Sequence, residues 1–233
     1  MSTSLLVEYF NQLPERRAKE NAAEWRARRE SAKDVFRKRV SERYNQGTLV
    51  RLLESPDVMN RRAALLALSL VGNMDSNAAV AACLHDADAE VRQLAVDTLW
   101  TLWFRADTDE NNAELQKLAR MRDREKALIG LDQLVKKVPG FAEAYNQRAV
   151  VGFTLKQYER SIADCEKALQ LNPYHFGAHA GMAQCLLQMR KHKAALKAFR
   201  AALRINPHLD GVADTIRALE TALGEEGRKD DKK

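Results

Sequence analysis

From residue 142 to residue 207 the chain repeats one arrangement of apolar and polar positions. In the later copy Ala178, Met182, Cys185 and Leu186 recur at three- and four-residue spacing, and so do Ala195, Leu196, Phe199, Ala202 and Leu203. Each set lies on one face of a helix, so each predicts an amphipathic helix. Between them Arg190, Lys191, His192 and Lys193 are too polar to bury and mark a turn. Pro207 lacks the N–H that a helix interior needs and disfavours the helical conformation at Asn206, so the second helix ends there. Shifted by 34 positions the pattern meets itself: Ala149 falls on Ala183, Ala168 on Ala202, Leu169 on Leu203, and Asn172 and Pro173 on Asn206 and Pro207. A fixed period of this length predicts stacked helical hairpins, with the small side chains of Ala183 and Ala202 letting two backbones approach closely.

This pattern resembles the tetratricopeptide repeat. The resemblance is carried by Tyr145, Ala149, Ala168 and Pro173 in the first copy and by Ala183, Ala195, Phe199, Ala202 and Pro207 in the second. The first copy departs from the family at Gly152 and Cys165, where large aromatics are preferred, and looser packing is expected there. One period upstream, Thr108 to Pro139 reads as a third copy, with Ala127, Leu131, Leu134 and Pro139 at matching offsets. Asp107 to Glu110 reads as a capping box opening that copy, Asp107 capping the helix and Glu110 reaching back. Asp210 to Leu223 supplies a closing helix.

A second, shorter period precedes these copies. At an offset of 31, Leu53 meets Leu84, Asp57 meets Asp88, Arg61 meets Arg92, Ala64 meets Ala95 and Leu68 meets Leu99. With Leu84, His85 and Asp86 followed by Val91, Arg92 and Ala95, this stretch resembles HEAT repeats. The acidic residue at each turn is expected to cap the next helix, and the arginine to reach a turn carbonyl or an acidic neighbour. Trp100 and Trp103 are expected to pack against the next part of the chain.

The first 45 residues differ. Leu5, Leu6, Tyr9, Phe10 and Leu13 predict a short amphipathic helix, and Pro14 is read as opening a long charged one from about Glu15 to Tyr44. Its apolar stripe is narrow: Ala18, Ala22, Trp25, Ala32, Phe36 and Val40. Pairs four apart, Glu15 with Lys19, Glu24 with Arg28 and Asp34 with Lys38, are expected to support it. The stripe could pair two chains or fold back on the HEAT-like stretch.

The fold class expected is therefore all-α: one α-solenoid of HEAT-like and then tetratricopeptide-like hairpins. The divisions are residues 1–45, a charged helical extension; 46–106, HEAT-like; 107–224, tetratricopeptide-like with a closing helix; and 225–233, a disordered tail with almost nothing apolar to bury. No apolar run of ~18 residues predicts a membrane span. The first residues lack the basic start, apolar core and cleavage site of a secretory signal, so the cytoplasm is expected. Cys83, Cys165 and Cys185 are well separated among apolar helix positions and read as reduced, buried thiols.

Chemistry is sparse. Asp86, Asp88 and Glu90 lack the glycine and the distal carboxylate of a calcium loop. His175 and His179 have no third ligand in view. No phosphate loop, nucleophile elbow or zinc-protease motif occurs, so no enzyme activity, cofactor or metal is expected. The expected function is a protein-interaction scaffold or adaptor that binds a peptide or protein partner on the concave face of the solenoid. The resemblance implies a groove lined by exposed residues on the first helix of each repeat: Asn112, Gln116, Glu143, Asn146, Val150, Thr154, Gln184, Leu187 and Gln188. Chaperone-tail-binding members hold a terminal carboxylate with Lys, Arg and Asn; here Val150, Gly177 and Gly181 replace several of that set. The alternative comes from charge. The chain carries 38 Lys and Arg against 32 Asp and Glu, a net +6. Residues 1–45 hold eleven basic against seven acidic side chains, with Arg26, Arg28, Arg29, Arg37, Lys38 and Arg39 on one helix and Trp25 available to stack. Such a face could bind nucleic acid or another acidic surface, with Arg190, Lys191 and Lys193 as a second patch.

Overall fold

A computed structural model describes residues 4–230 of the chain, with side chains through Gly224. Among the described residues every regular element is helical, and the chain divides into two compact units, Met1–Leu102 and Trp103–Lys233.

In the first unit, helix α1 (Leu5–Asn11) is capped by Ser4, whose hydroxyl accepts from the Val7 N–H. Helix α2 is Ala22–Arg43, shorter than expected. It starts after Asn21 rather than at Pro14, because the Asn21 side chain accepts from the N–H groups of both Ala23 and Glu24. The segment before it turns back, and Glu20 there takes Arg28 at 2.7 Å in place of the expected Glu24. Asp34 pairs with Arg37 rather than Lys38, at 2.9 Å. Phe36 and Val40 are buried, and α2 packs on α1 and on α4 (Val58–Val71). The C-terminal part of the expected stripe, Phe36 and Val40, thus folds back within the unit, whereas Ala18 and Ala22 are exposed.

Helix α3 (Gln46–Leu52) pairs with α4; α5 (Asn77–Ala82) and α6 (Ala89–Trp103) form the second copy of the 31-residue period. Both copies close their turns by the same bond. Arg61 donates to the carbonyls of Ser55 and Pro56, and Arg92 to those of Asp86 and Ala87, the equivalent positions. Arg61 also forks the Asp86 carboxylate at 2.7 and 2.9 Å, and Arg62 forks Asp88 at 3.1 and 2.7 Å. These bonds tie α4 to the turn that opens α6. Asp57 and Asp88 cap as expected, accepting from the N–H groups of Met59 and Val91. All three carboxylates weighed as a calcium loop are thus committed to arginines, Glu90 pairing with Arg62 at 2.5 Å.

In the second unit α7 (Asp109–Ala119), α8 (Arg124–Lys137), α9 (Ala142–Thr154), α10 (Tyr158–Leu171), α11 (Phe176–Gln188), α12 (His192–Ile205) and α13 (Val212–Asp230) each pack on the next. The 34-residue period is kept down to single bonds. Lys156 and Arg190 both hold left-handed backbone, φ +60° and +56°, where the turn demands it. The next residues, Gln157 and Lys191, donate to Gly152 and Leu186 at 2.8 and 2.9 Å. Asn172 and Asn206 end their helices alike, each side chain accepting from the N–H two residues on. Arg148 on α9 forks Asp164 on α10 and reaches Asp132 on α8 at 2.9 Å, fastening three helices.

Three further expectations need correction. The cap of α7 is Thr108, which accepts from the Asn111 N–H; Asp107 instead accepts from Thr108 N–H and the Asn111 amide, and Glu110 faces Lys137 at 3.4 Å. Packing at Gly152 is tight, not loose: a Cβ there would stand 2.6 Å from Ser161 Oγ, so the second helix of the hairpin needs this residue small. Finally, α13 runs on to Asp230, so the first six residues of the segment read as a disordered tail have helical backbone; residues 231–233 lie outside the described residues.

Two outcomes are expected. Gly152→Ala should destabilise the chain by about 1–3 kcal/mol in urea unfolding, and most of that cost should vanish in a Ser161→Ala background. Arg62, with the Val91 N–H, holds the Asp88 carboxyl at about 2 against an ordinary 3.8. A lowered carboxyl contributes stability that is present above its unfolded value and lost as pH falls through its folded value. Unfolding measured between pH 4 and 2 should therefore show weakening, and Arg62→Gln should flatten that dependence.

Candidate functional site

The first helices of consecutive repeats in the second unit are joined by a buried polar brace. Glu143 at the start of α9 and His175 before α11 are both fully buried, their Oε2 and Nε2 atoms 2.7 Å apart. His175 Nδ1 accepts from the Ala178 N–H and so caps α11; its proton therefore lies on Nε2 and is donated to the carboxylate. Asn146 and Gln147 donate to the other carboxylate oxygen at 3.1 and 2.6 Å. The His175 ring stacks on Trp103, the first residue of this unit, with centroids 4.2 Å apart. Both ring nitrogens of His175 are thus engaged in hydrogen bonds, which leaves no lone pair for a metal. His179 is half-buried, and burial together with the charge of Arg204 lowers its pKa.

Above this brace lies a cleft of about 160 Å³ between α9 and α11. Its lining is Asn146, Ala149, Val150, Phe153, Thr154, Cys165, Gly181, Gln184 and Cys185, none of them charged. The cleft exists because Ala149, Cys165 and Gly181 are small. A Cβ on Gly181 would meet Cys165 Sγ at an ordinary 3.6 Å. Here the expected loose packing around Cys165 takes physical form, as open space beside it. Burial pushes the Cys165 thiol up to about 12 and raises Cys185 as well, so neither is a thiolate nucleophile near neutrality. Val150 stands 48% exposed at the rim.

The structure brings together four of the nine expected groove residues: Val150, Thr154 and Gln184, which are exposed, and Asn146, which is buried rather than exposed because its amide donates to Glu143. Glu143 is not exposed; it is the centre of the brace. Asn112 is buried, its amide donating to the Asp107 carbonyl and accepting from the Asp107 N–H, so it closes a turn. Leu187 packs on the cluster of Ala183, Phe199 and Ile216. Gln116 is half-buried on α7, and Gln188 is exposed at the end of α11. Phe153, Ala149, Cys165, Gly181 and Cys185 are absent from the expected set, although the run of small residues at helical spacing is an available signal.

The basic helix is only partly available. Arg28 is held by Glu20 and lies over Trp25 at 5.1 Å, so that indole face is covered. Arg39 donates to Gln12 and covers Tyr9, and Arg37 pairs with Asp34. Arg26, Arg29 and Lys38 are exposed.

The tetratricopeptide repeat family model matches residues 153–219. A TPR repeat-containing protein of Rhizobium etli is 38% identical over 81 residues, 35% of this chain and 40% of that protein. Sperm-associated antigen 1 of Mus musculus is 32% identical over 82 residues, 35% of this chain and 9% of that protein. Among solved structures, the TPR domain of Sgt2 from Aspergillus fumigatus superposes with a TM-score of 0.48 at 19% identity, covering 53% of this chain and 85% of that one. The chain thus spans less than half of either curated relative. The family match and these relatives support tetratricopeptide repeats in the C-terminal half.

His175→Ala should cost about 3 kcal/mol in urea unfolding, since it removes the cap of α11 and leaves a buried carboxylate one donor short. A double-mutant cycle with Glu143→Gln should show coupling of about 1 kcal/mol or more.

Proposed function

We propose that the chain is a non-catalytic protein-interaction scaffold, and that the cleft between α9 and α11 receives an apolar side chain of a peptide or partner protein. Stacked repeats offer extended surfaces of this kind, which bind extended or helical segments. The observation that carries the reading is the uncharged cleft itself, set on the first helices of successive repeats with Asn146 and Gln184 at its edge. Its volume is close to that of a single large apolar side chain, about 150 Å³ being enough to hold a benzene ring. A terminal carboxylate is a poor fit: no cation lines the cleft, and the Glu143 carboxylate lies behind Asn146. We extend the proposal to the rest of the chain by reading α3 to α6 as two HEAT-like pairs, and the cleft as part of the concave face of the repeats.

Panning a displayed peptide library against the full chain tests it. Selected peptides should share an apolar residue, and Gly181→Leu, which fills the cleft, should weaken them at least about tenfold. Asn146→Ala combined with Gln184→Ala should weaken them less. Peptides selected for an acidic C-terminus, or retained unchanged by Gly181→Leu, would refute the assignment.

A further inference from the structure

The outer face of α12 carries a charge pattern that the repeat does not require. Lys193, Lys197, Arg200 and Arg204 succeed one another at four, three and four residues. At 100° per residue they fall within an arc of about 60° and run about 16 Å along the helix. The buried side of α12, formed by Ala195, Ala198, Phe199 and Ala202, lies opposite, so the four cations face away from the core. All four are exposed, and α12 contains no acidic residue. Among the described residues one carboxylate reaches the row, Glu220 of α13, at 2.6 Å from Arg200.

The fold does not need these cations. One repeat earlier the same positions hold Glu159, Ala163, Glu166 and Gln170, in a helix that packs in the same way. Like charges at four-residue spacing cost a helix stability, so the row works against the isolated helix. Its cost is offset if a counter-charge arrives from outside. The row is also narrow. Two of the four equivalent positions of the preceding repeat are acidic, Glu159 and Glu166, and α13, packed against α12, contributes Glu220. A helix is about 10 Å across and can lie along α12 alone. A nucleic acid duplex extends well past a single helix face and would meet these carboxylates. The outward face of α12 also presents no aromatic side chain on which a base could stack, Phe199 being buried.

We propose that the outer face of α12 docks an acidic segment of a partner protein, its Asp and Glu side chains matching the row of Lys193, Lys197, Arg200 and Arg204. This surface is separate from the cleft between α9 and α11 and does not rest on it.

The test uses the full chain and a fluorescent alanine-based helical peptide with Glu at the spacing i, i+4, i+7 and i+11, beside a matched Gln peptide and a short DNA duplex. The Glu peptide should bind at low salt, weaken as salt rises, and lose at least about tenfold in affinity when Lys193, Lys197 and Arg204 are all changed to Glu. Glu220→Gln, which releases Arg200, should strengthen binding severalfold, while Gly181→Leu should leave it unchanged. If the Glu variant fails to fold by circular dichroism, the same three residues changed to Gln supply the comparison. Equal binding of the Gln peptide, or retained affinity in the charge variants, overturns the proposal. Tighter binding of the duplex than of the Glu peptide also overturns it and assigns the face to nucleic acid.

Discussion

A helical hairpin cannot cover its own apolar face, and the whole arrangement of the second unit comes from how that debt is met. Each helix from α8 to α13 lies on the one before it, so the face left bare by one hairpin is sealed by its successor. The contact surfaces are built from alanines such as Ala149, Ala168, Ala183 and Ala202, which allow close approach at little cost in side-chain entropy. Close approach alone would let neighbouring hairpins slide. Directional bonds oppose this: Arg148 spans from α9 to α8 and α10, and Glu143 reaches the cap of α11.

This division of labour explains which features are legible in the sequence. Repeated small and apolar positions announce helices, their pairing and their period, because packing imposes a spacing on the chain itself. Turn chemistry is half legible. Arg61 and Arg92 read as closing turns because both copies carry them, whereas Pro14 outshines Asn21 as the apparent start of α2. Polar partners distant in sequence are not legible. Nothing along the chain announces that Glu143 faces His175, 32 residues away, and a glutamate on the first helix of a repeat naturally reads as exposed.

The site shows the same asymmetry. Val150 and Thr154 share a helix face with Asn146, so their grouping comes from helical geometry. The floor of the cleft comes from two other helices and depends on what is absent, the side-chain bulk missing at Gly181 and Cys165. A void is a difference between neighbours and has no residue of its own to signal it. Gly152 makes the converse point. It too is a missing side chain, yet Ser161 occupies the room, so the same residue type marks a tight contact in one hairpin and an opening in the next.

The two thiols beneath the cleft have a practical consequence. Cys165 and Cys185 are each 1% exposed, and their burial holds them protonated. At that exposure an alkylating reagent reaches the sulfur atoms only when the residues around them move apart, so their rate of modification clocks local opening among α9, α10 and α11 in the otherwise intact molecule. The chain carries its own stopwatch for breathing between repeats, with no label to be introduced.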